Sequence, residues 1–157
     1  MATQLQLRRG TTAENNTFAG GNGEVTVDTQ THGLRVHDGT TVGGFLVDTV
    51  VDFQLPTVGN GYTWYRKYSS GWVEQGGIAT ITSDGLFNVV YPVEMATGKP
   101  QALAAPYNQA TTGSGDQNYL CVLVNIGTTS LDIRYFDSDS STWRQGDVCW
   151  RVEGMAA

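Results

Sequence analysis

Apolar and polar residues alternate at every second position along short runs of this chain. Leu5 and Leu7 alternate in QLQLRR, Val25 and Val27 in EVTVDT, Leu34 and Val36 in GLRVHD, and GGFLVD closes the set. Successive side chains of a strand point to opposite faces, so the pattern predicts half-buried β-strands with one apolar and one polar side. In the second half, YTWYRKY, WVEQGGIATIT, GLFNVVYPV, QALAAPY, NYLCVLVNI, SLDIRYFDS and DVCWRVEG also read as strands. Between them lie the turn-rich pieces MATGKP, NQATTGSGDQ, GTTS and DSDSSTWRQG. Such strands with frequent turn signals predict an antiparallel sandwich or barrel. Twenty glycines and a charged share of only 15% agree with strands and turns rather than helices.

The single helical signal is one turn in TTAENNTF. Thr11 and Glu14 have capping-box spacing, and Phe18 is placed to pin the turn to the sheet. Asp38-Gly39 marks a turn. The apolar inventory of these first fifty residues is small, and a unit of that size buries too little surface to be secure alone. Sharing a core with copies of itself is the simplest remedy, so an oligomer is expected. The layout read from the chain is a small module over residues 1–50, a connector over 51–61 containing Pro56, Gly59, Asn60 and Gly61, and a strand-rich domain over 62–157.

The stretch YTWYRKYSSGWVEQGG concentrates Trp and Tyr around Ser69-Ser70-Gly71. A short loop ending in glycine suits a hairpin, with Tyr68 and Trp72 flanking the turn. Gly76-Gly77 reads either as a bulge or as a close approach of another backbone. The aromatics serve the hairpin and its contacts in one reading and a binding face in the other.

Composition excludes several classes of function. A net charge of -6 argues against nucleic acid or an anionic membrane as the main partner. No apolar run approaches the roughly 20 residues of a spanning helix, and MATQLQLRRG lacks the apolar centre of a secretory signal. A soluble protein made in a cytoplasm is expected. Cys121 and Cys149 sit in apolar runs and read as buried thiols, a disulfide being the lesser reading. His32 and His37 are expected at the surface. Three copies of His37 meeting on an axis have the chemistry to hold an ion, but too few ligands lie nearby for a metal to be expected. Asp84, Glu94, Asp116, Asp132, Asp137, Asp139, Asp147, Glu153 and Glu74 supply carboxylates without marking a catalytic pair. Asp137-Ser138-Asp139-Ser140 lacks the glycine and closing glutamate of an EF-hand. Neither GGNGEVTV nor TTGSGDQ is a phosphate loop. No cofactor and no enzyme are expected.

The N-terminal string QLRRGTTAENNTFAGGNGEVTVDTQTHGLRVHDGTTVGGFLV resembles the small N-terminal module of phage tail-fibre and receptor-binding proteins, and is similar to the start of a phage tropism determinant. The likeness covers residues 4–47. The second half, through YRKYSSGWVEQGG, VVYP and VCWRVEG, resembles the C-terminal domain of phage tail fibres over residues 62–154. The resemblance implies an all-β homotrimer, with a small intertwined N-terminal β-prism followed by a C-terminal antiparallel β-sandwich knob. It implies a virion protein that joins other tail or baseplate proteins and attaches to a bacterial surface glycan or outer-membrane protein.

On that reading Leu5, Leu7, Val25, Val27, Leu34, Val36, Trp64 and Trp72 are candidates for the trimer interface. Two loop groups offer the polar and aromatic side chains that suit a sugar. One holds Tyr107, Asn108, Gln109, Asp116 and Tyr119; the other holds Asp137, Asp139, Trp143 and Arg144. No long triple-stranded shaft lies between the two modules, so the fibre is very short. A virion collar or connector without receptor contact is the competing class, and a glycan-cleaving fibre enzyme a third.

Overall fold

The computed structural model describes residues 6–82, 86–96, 100–107, 119–137, 142–143 and 145–157. The described chain is almost entirely β. The exceptions are one helical turn and a short 3-10 turn at Val58–Asn60. It divides into two compact units, residues 1–52 with 67–71, and residues 53–66 with 72–157.

The first unit is built on strands β1 (Arg8–Gly10), β2 (Val25–Asp28), β3 (Leu34–Val36) and β4 (Phe45–Val47), ordered β1-β2-β3-β4. β1 runs parallel to β2 and the other pairs are antiparallel. Helix α1 (Thr12–Thr17) starts on the expected capping box. The Thr11 hydroxyl accepts from the Glu14 amide at 3.2 Å, and the Glu14 carboxylate accepts from the Thr11 amide at 2.7 Å. Phe18 ends the turn with its ring edge-on to His37, and the Arg8 guanidinium lies 4.4 Å above it.

Burial in this unit runs opposite to the usual rule. The fully buried side chains Asn15, Thr26, Asp28 and His37 are all polar. Asn15 Nδ2 donates to the Gly10 and Thr11 carbonyls, and the Thr12 hydroxyl donates to Asp28. The α1 turn thereby seals the polar side of the sheet with hydrogen bonds. On the other side, Val25, Val36 and Phe45 stand in register across three strands, as do Val27, Leu34 and Val47. This apolar grid is only partly covered within the chain: Phe45 is 57% and Val36 38% exposed, Val47 is exposed too, and Val25, Val27 and Leu34 are half-buried.

The second unit is a two-sheet sandwich. One sheet runs β5 (Val50–Gln54), β6 (Trp64–Tyr68), β7 (Trp72–Ile81), β13 (Gly146–Met155) and β9 (Gln101–Pro106), with residues 50–52 of β5 and 67–68 of β6 counted in the first unit. In the other, β11 (Ser130–Asp137) pairs with β10 (Tyr119–Val124) along one edge, and with β8 (Phe87–Val90) and β12 (Thr142–Trp143) along the other. Alternation delivers Val73, Ala79 and Ile81 from β7, Leu131, Ile133 and Tyr135 from β11, and Val148, Trp150 and Val152 from β13 into one core. Strand β12 lies inside DSDSSTWRQG, where only a turn is expected. Its two residues are too few for a period to show.

The hairpin turn is as expected: Gly71 has φ 87° and its amide donates to the Tyr68 carbonyl at 2.9 Å. At Gly76-Gly77 the ladder to Arg151 and Trp150 is unbroken, so there is no bulge. These glycines mark close approach instead. A Cβ at Gly76 would stand 2.5 Å from the Trp150 carbonyl oxygen and 3.0 Å from the Trp64 ring.

Candidate functional site

Strand register places three rows of residues side by side on the face of the five-stranded sheet turned away from the core. They are Ile78–Cys149–Ala105, Gly76–Arg151–Leu103 and Glu74–Glu153–Gln101, each contributed by β7, β13 and β9 in turn. Cys149, Ala105 and Gly76 are the small residues of the first two rows, and the bare Gly76 lets the Trp64 ring lie against the sheet. The result is a groove of about 470 Å³, whose walls include Tyr62, Trp64, Leu103, Tyr107 and Arg151. It falls within the ~300–1,000 Å³ usual for small-molecule sites.

Tyr62 is 46% and Tyr107 57% exposed, so both rings reach solvent at the groove. Tyr62 has φ +59°, a conformation that a bulky side chain rarely adopts. It follows Gly61, also left-handed, and its amide donates to the Thr57 carbonyl at 2.8 Å. Strain of this kind persists where the surroundings hold the residue in place. A second depression of about 320 Å³ adjoins the first and shares Leu103 and Arg151 with it; Gln101, Ala102 and Glu153 complete it. Arg151 Nη2 lies 3.1 Å from Glu74 and 3.0 Å from Glu153, so the cation is held between two carboxylates. Cys149, in the floor of the groove, donates to the Ala105 carbonyl at 3.4 Å.

Of the candidate receptor residues, Tyr107 is at this groove. Tyr119 begins β10 and Trp143 ends β12. Asp137 corrects its expected loop position: it is the last residue of β11, buried in the row of Leu131, Ile133 and Tyr135, because strand alternation runs one step past the apolar residues. Asn108, Gln109, Asp116, Asp139 and Arg144 lie outside the described residues, as does Leu5. Of the interface candidates, Val25, Val27, Leu34 and Val36 share the open grid, and Leu7 is exposed just before β1. Trp64 lines the groove, and Trp72 is half-buried opposite Met155. Sequence reasoning missed Tyr62, Leu103 and Arg151, which no motif marks; the available signal was the Gly76-Gly77 pair beside a tryptophan.

Two further expectations are resolved. His37 is not at the surface but 1% exposed. Its Nδ1 accepts from the Gly20 amide at 3.2 Å and its Nε2 lies 3.0 Å from the Thr26 hydroxyl, so both ring nitrogens are engaged within the chain. A histidine read as solvated in sequence is here the centre of a polar core. Cys121 and Cys149 are free thiols, as expected, though half-buried rather than fully so. Burial, and then the charge of nearby Cys149, push Cys121 up to about 11. Among the described residues no three His, Cys, Asp or Glu side chains group as a metal site, and no helix is long and apolar enough to cross a membrane.

Residues 5–41 match the Major tropism determinant N-terminal domain family. The chain is 53% identical over 45 residues to the tail fiber receptor-binding protein of Bordetella phage BPP-1, a match covering 29% of this chain and 12% of that protein's length. A solved variant of the Major Tropism Determinant, P3c, is 34% identical over 40% of this chain and 20% of its own, with a TM-score of 0.27. The C-terminal part of the R2 pyocin fiber of P. aeruginosa covers 98% of this chain with 37% of its own, at 15% identity and a TM-score of 0.50. The resemblance to phage tail-fibre proteins thus holds by sequence at the N-terminal stretch and by its all-β fold along the chain.

Proposed function

We propose that this chain is a phage tail-fibre or receptor-binding protein that attaches the virion to its host. The observation that carries this reading is the 53% identity of its N-terminal stretch to a protein called a tail fiber receptor-binding protein. In this reading residues 1–50 face the virion and join other tail or baseplate proteins. Residues 62–157 face the host, whose surface glycan or outer-membrane protein is the receptor. The chain works without catalysis.

The open grid of Val25, Val36 and Phe45 beside Val27, Leu34 and Val47 supports a homotrimer. Of these six apolar side chains Val36, Phe45 and Val47 are exposed and the other three only half-buried, so the unit lacks a buried apolar core until copies pack together. Leu34→Asp places a charge at the centre of the grid and is expected to reduce the solution mass from three chains to one, read by light scattering during gel filtration.

Attachment is tested with the purified intact chain. It is expected to coat susceptible cells and to block infection by the phage that carries it. A collar or connector does neither, and a glycan-cleaving enzyme releases reducing sugar.

A further inference from the structure

Resting on the homotrimer reading, we propose that the second unit carries its own contact between copies: the apolar segment 53–62 of one copy seats in the groove across β7, β13 and β9 of the next. The polar groups of this segment bond to one another. The Thr57 amide donates to Asn60 Oδ1 and Asn60 Nδ2 donates to the Leu55 carbonyl, both at 2.8 Å, and Gln54 Nε2 donates to the Thr63 carbonyl at 3.0 Å. The side chains turned to solvent are apolar. Phe53 is 59%, Leu55 64% and Val58 78% exposed, and Val58 is the most exposed large apolar side chain among the described residues. Three such side chains on one short segment mark an interaction surface rather than scattered exposure.

The chemistry of the groove matches that of the segment. From Phe53 to Tyr62 the sequence FQLPTVGNGY holds no charged residue. Arg151 alone is charged among the residues lining the groove, and its Nη2 lies 3.1 Å from Glu74 and 3.0 Å from Glu153. Charge is depleted in the same way at the centres of protein interfaces, where Tyr, Trp and Arg are enriched. Cys149 already donates to the Ala105 carbonyl, so beyond the hydroxyls of Tyr62 and Tyr107 the groove has few polar groups to offer a sugar, whose hydroxyls would lose water without regaining partners. Continuity along the chain favours a second copy over a foreign protein. Only five residues separate Val47, the end of the apolar grid, from Phe53, so copies joined through their grids hold their segments at high effective concentration. Segment and groove are different surfaces, so the contact is head-to-tail, and such a contact closes into a ring whose size the grid sets at three.

The test uses the intact chain carrying Val58→Cys and Cys121→Ser, oxidised with diamide and run on non-reducing gels, with solution mass and whole-cell binding measured in parallel. Chains linked covalently to one another, in a pattern lost on adding Cys149→Ser, are the expected result, because Cys149 stands in the groove. Links that persist without Cys149 show the segments meeting each other and overturn the groove seating. Absence of links at a mass of three chains overturns it too and leaves the homotrimer intact. Val58→Asp, at an exposed position, is expected to raise at least tenfold the chain concentration at which the three-chain mass is half lost. An unchanged concentration, with or without a loss of cell binding, overturns the inference, and the loss hands this surface to the host. A mass of one chain for the unsubstituted protein sinks the homotrimer reading and this inference with it.

Discussion

Gln75 and Val93 are joined by two hydrogen bonds. Gln75 Nε2 donates to the Val93 carbonyl at 2.8 Å, and Gln75 Oε1 accepts from the Val93 amide at 2.9 Å. The side chain is fully buried in β7 and acts as a strand partner for a residue that lies in no strand. Gln75→Ala leaves both main-chain groups of Val93 unpaired and opens a cavity. It is expected to lower unfolding stability by about 2–4 kcal/mol. Urea titration reads the loss as a shift in midpoint, and an unchanged midpoint refutes the role.

The ring of His37 is packed against glycine on two sides. A Cβ at Gly20 would stand 2.6 Å from its Cγ, and one at Gly44, where φ is +59°, 2.7 Å from its Nδ1. Gly20→Ala is expected to cost about 1–3 kcal/mol by overpacking, and Gly44→Ala more, since backbone strain adds to the clash. Gly21→Ala is the control, because its nearest neighbour would be 3.8 Å away. Thermal unfolding of the three variants is expected to leave the control near wild type and to lower the other two.

Asp28 is fully buried, and its burial works to raise its pKa. The Thr31 amide, the Thr12 hydroxyl and the Gln30 amide outweigh this and hold it below the ordinary carboxylate value. A pKa lower in the folded than in the unfolded chain means stability that is present above the unfolded value and lost as pH falls through the folded one. Unfolding stability is therefore expected to decline as pH drops below about 4. Asp28→Asn is expected to flatten part of that acid limb, as read by urea titrations from pH 7 to pH 3. An identical acid limb in the variant would assign the loss to other carboxylates.

Tyr91 stacks on Trp150 with ring centres 6.1 Å apart, and its buried hydroxyl has no hydrogen-bond partner among the described residues. Burial pushes its pKa up to about 12. Tyr91→Phe keeps the ring and removes the unpaired hydroxyl, so stability is expected to stay level or rise by about 1 kcal/mol. A clear loss by thermal unfolding would show that the hydroxyl has a partner.

Local features were legible in the sequence because their causes are local. The Thr11–Glu14 box and the turn at Gly71 need only a few neighbouring residues to form, and both stand where the residues place them. The strands follow from period-two alternation, which is a property of the backbone itself. Alternation separates two faces, but it does not say which one the chain covers. The tertiary structure decided that the polar face of the first sheet is the covered one, with His37 buried among Phe18, Gly20, Thr26 and Gly44, while Val36, Phe45 and Val47 on the other face stay exposed. The groove was likewise a matter of register. Tyr62 and Tyr107 are far apart along the chain, and only the pairing of β13 with β7 and β9 brings them to one depression with Arg151 between two carboxylates. Contacts between distant strands are set by packing of the whole sandwich, and no short stretch of sequence carries that information.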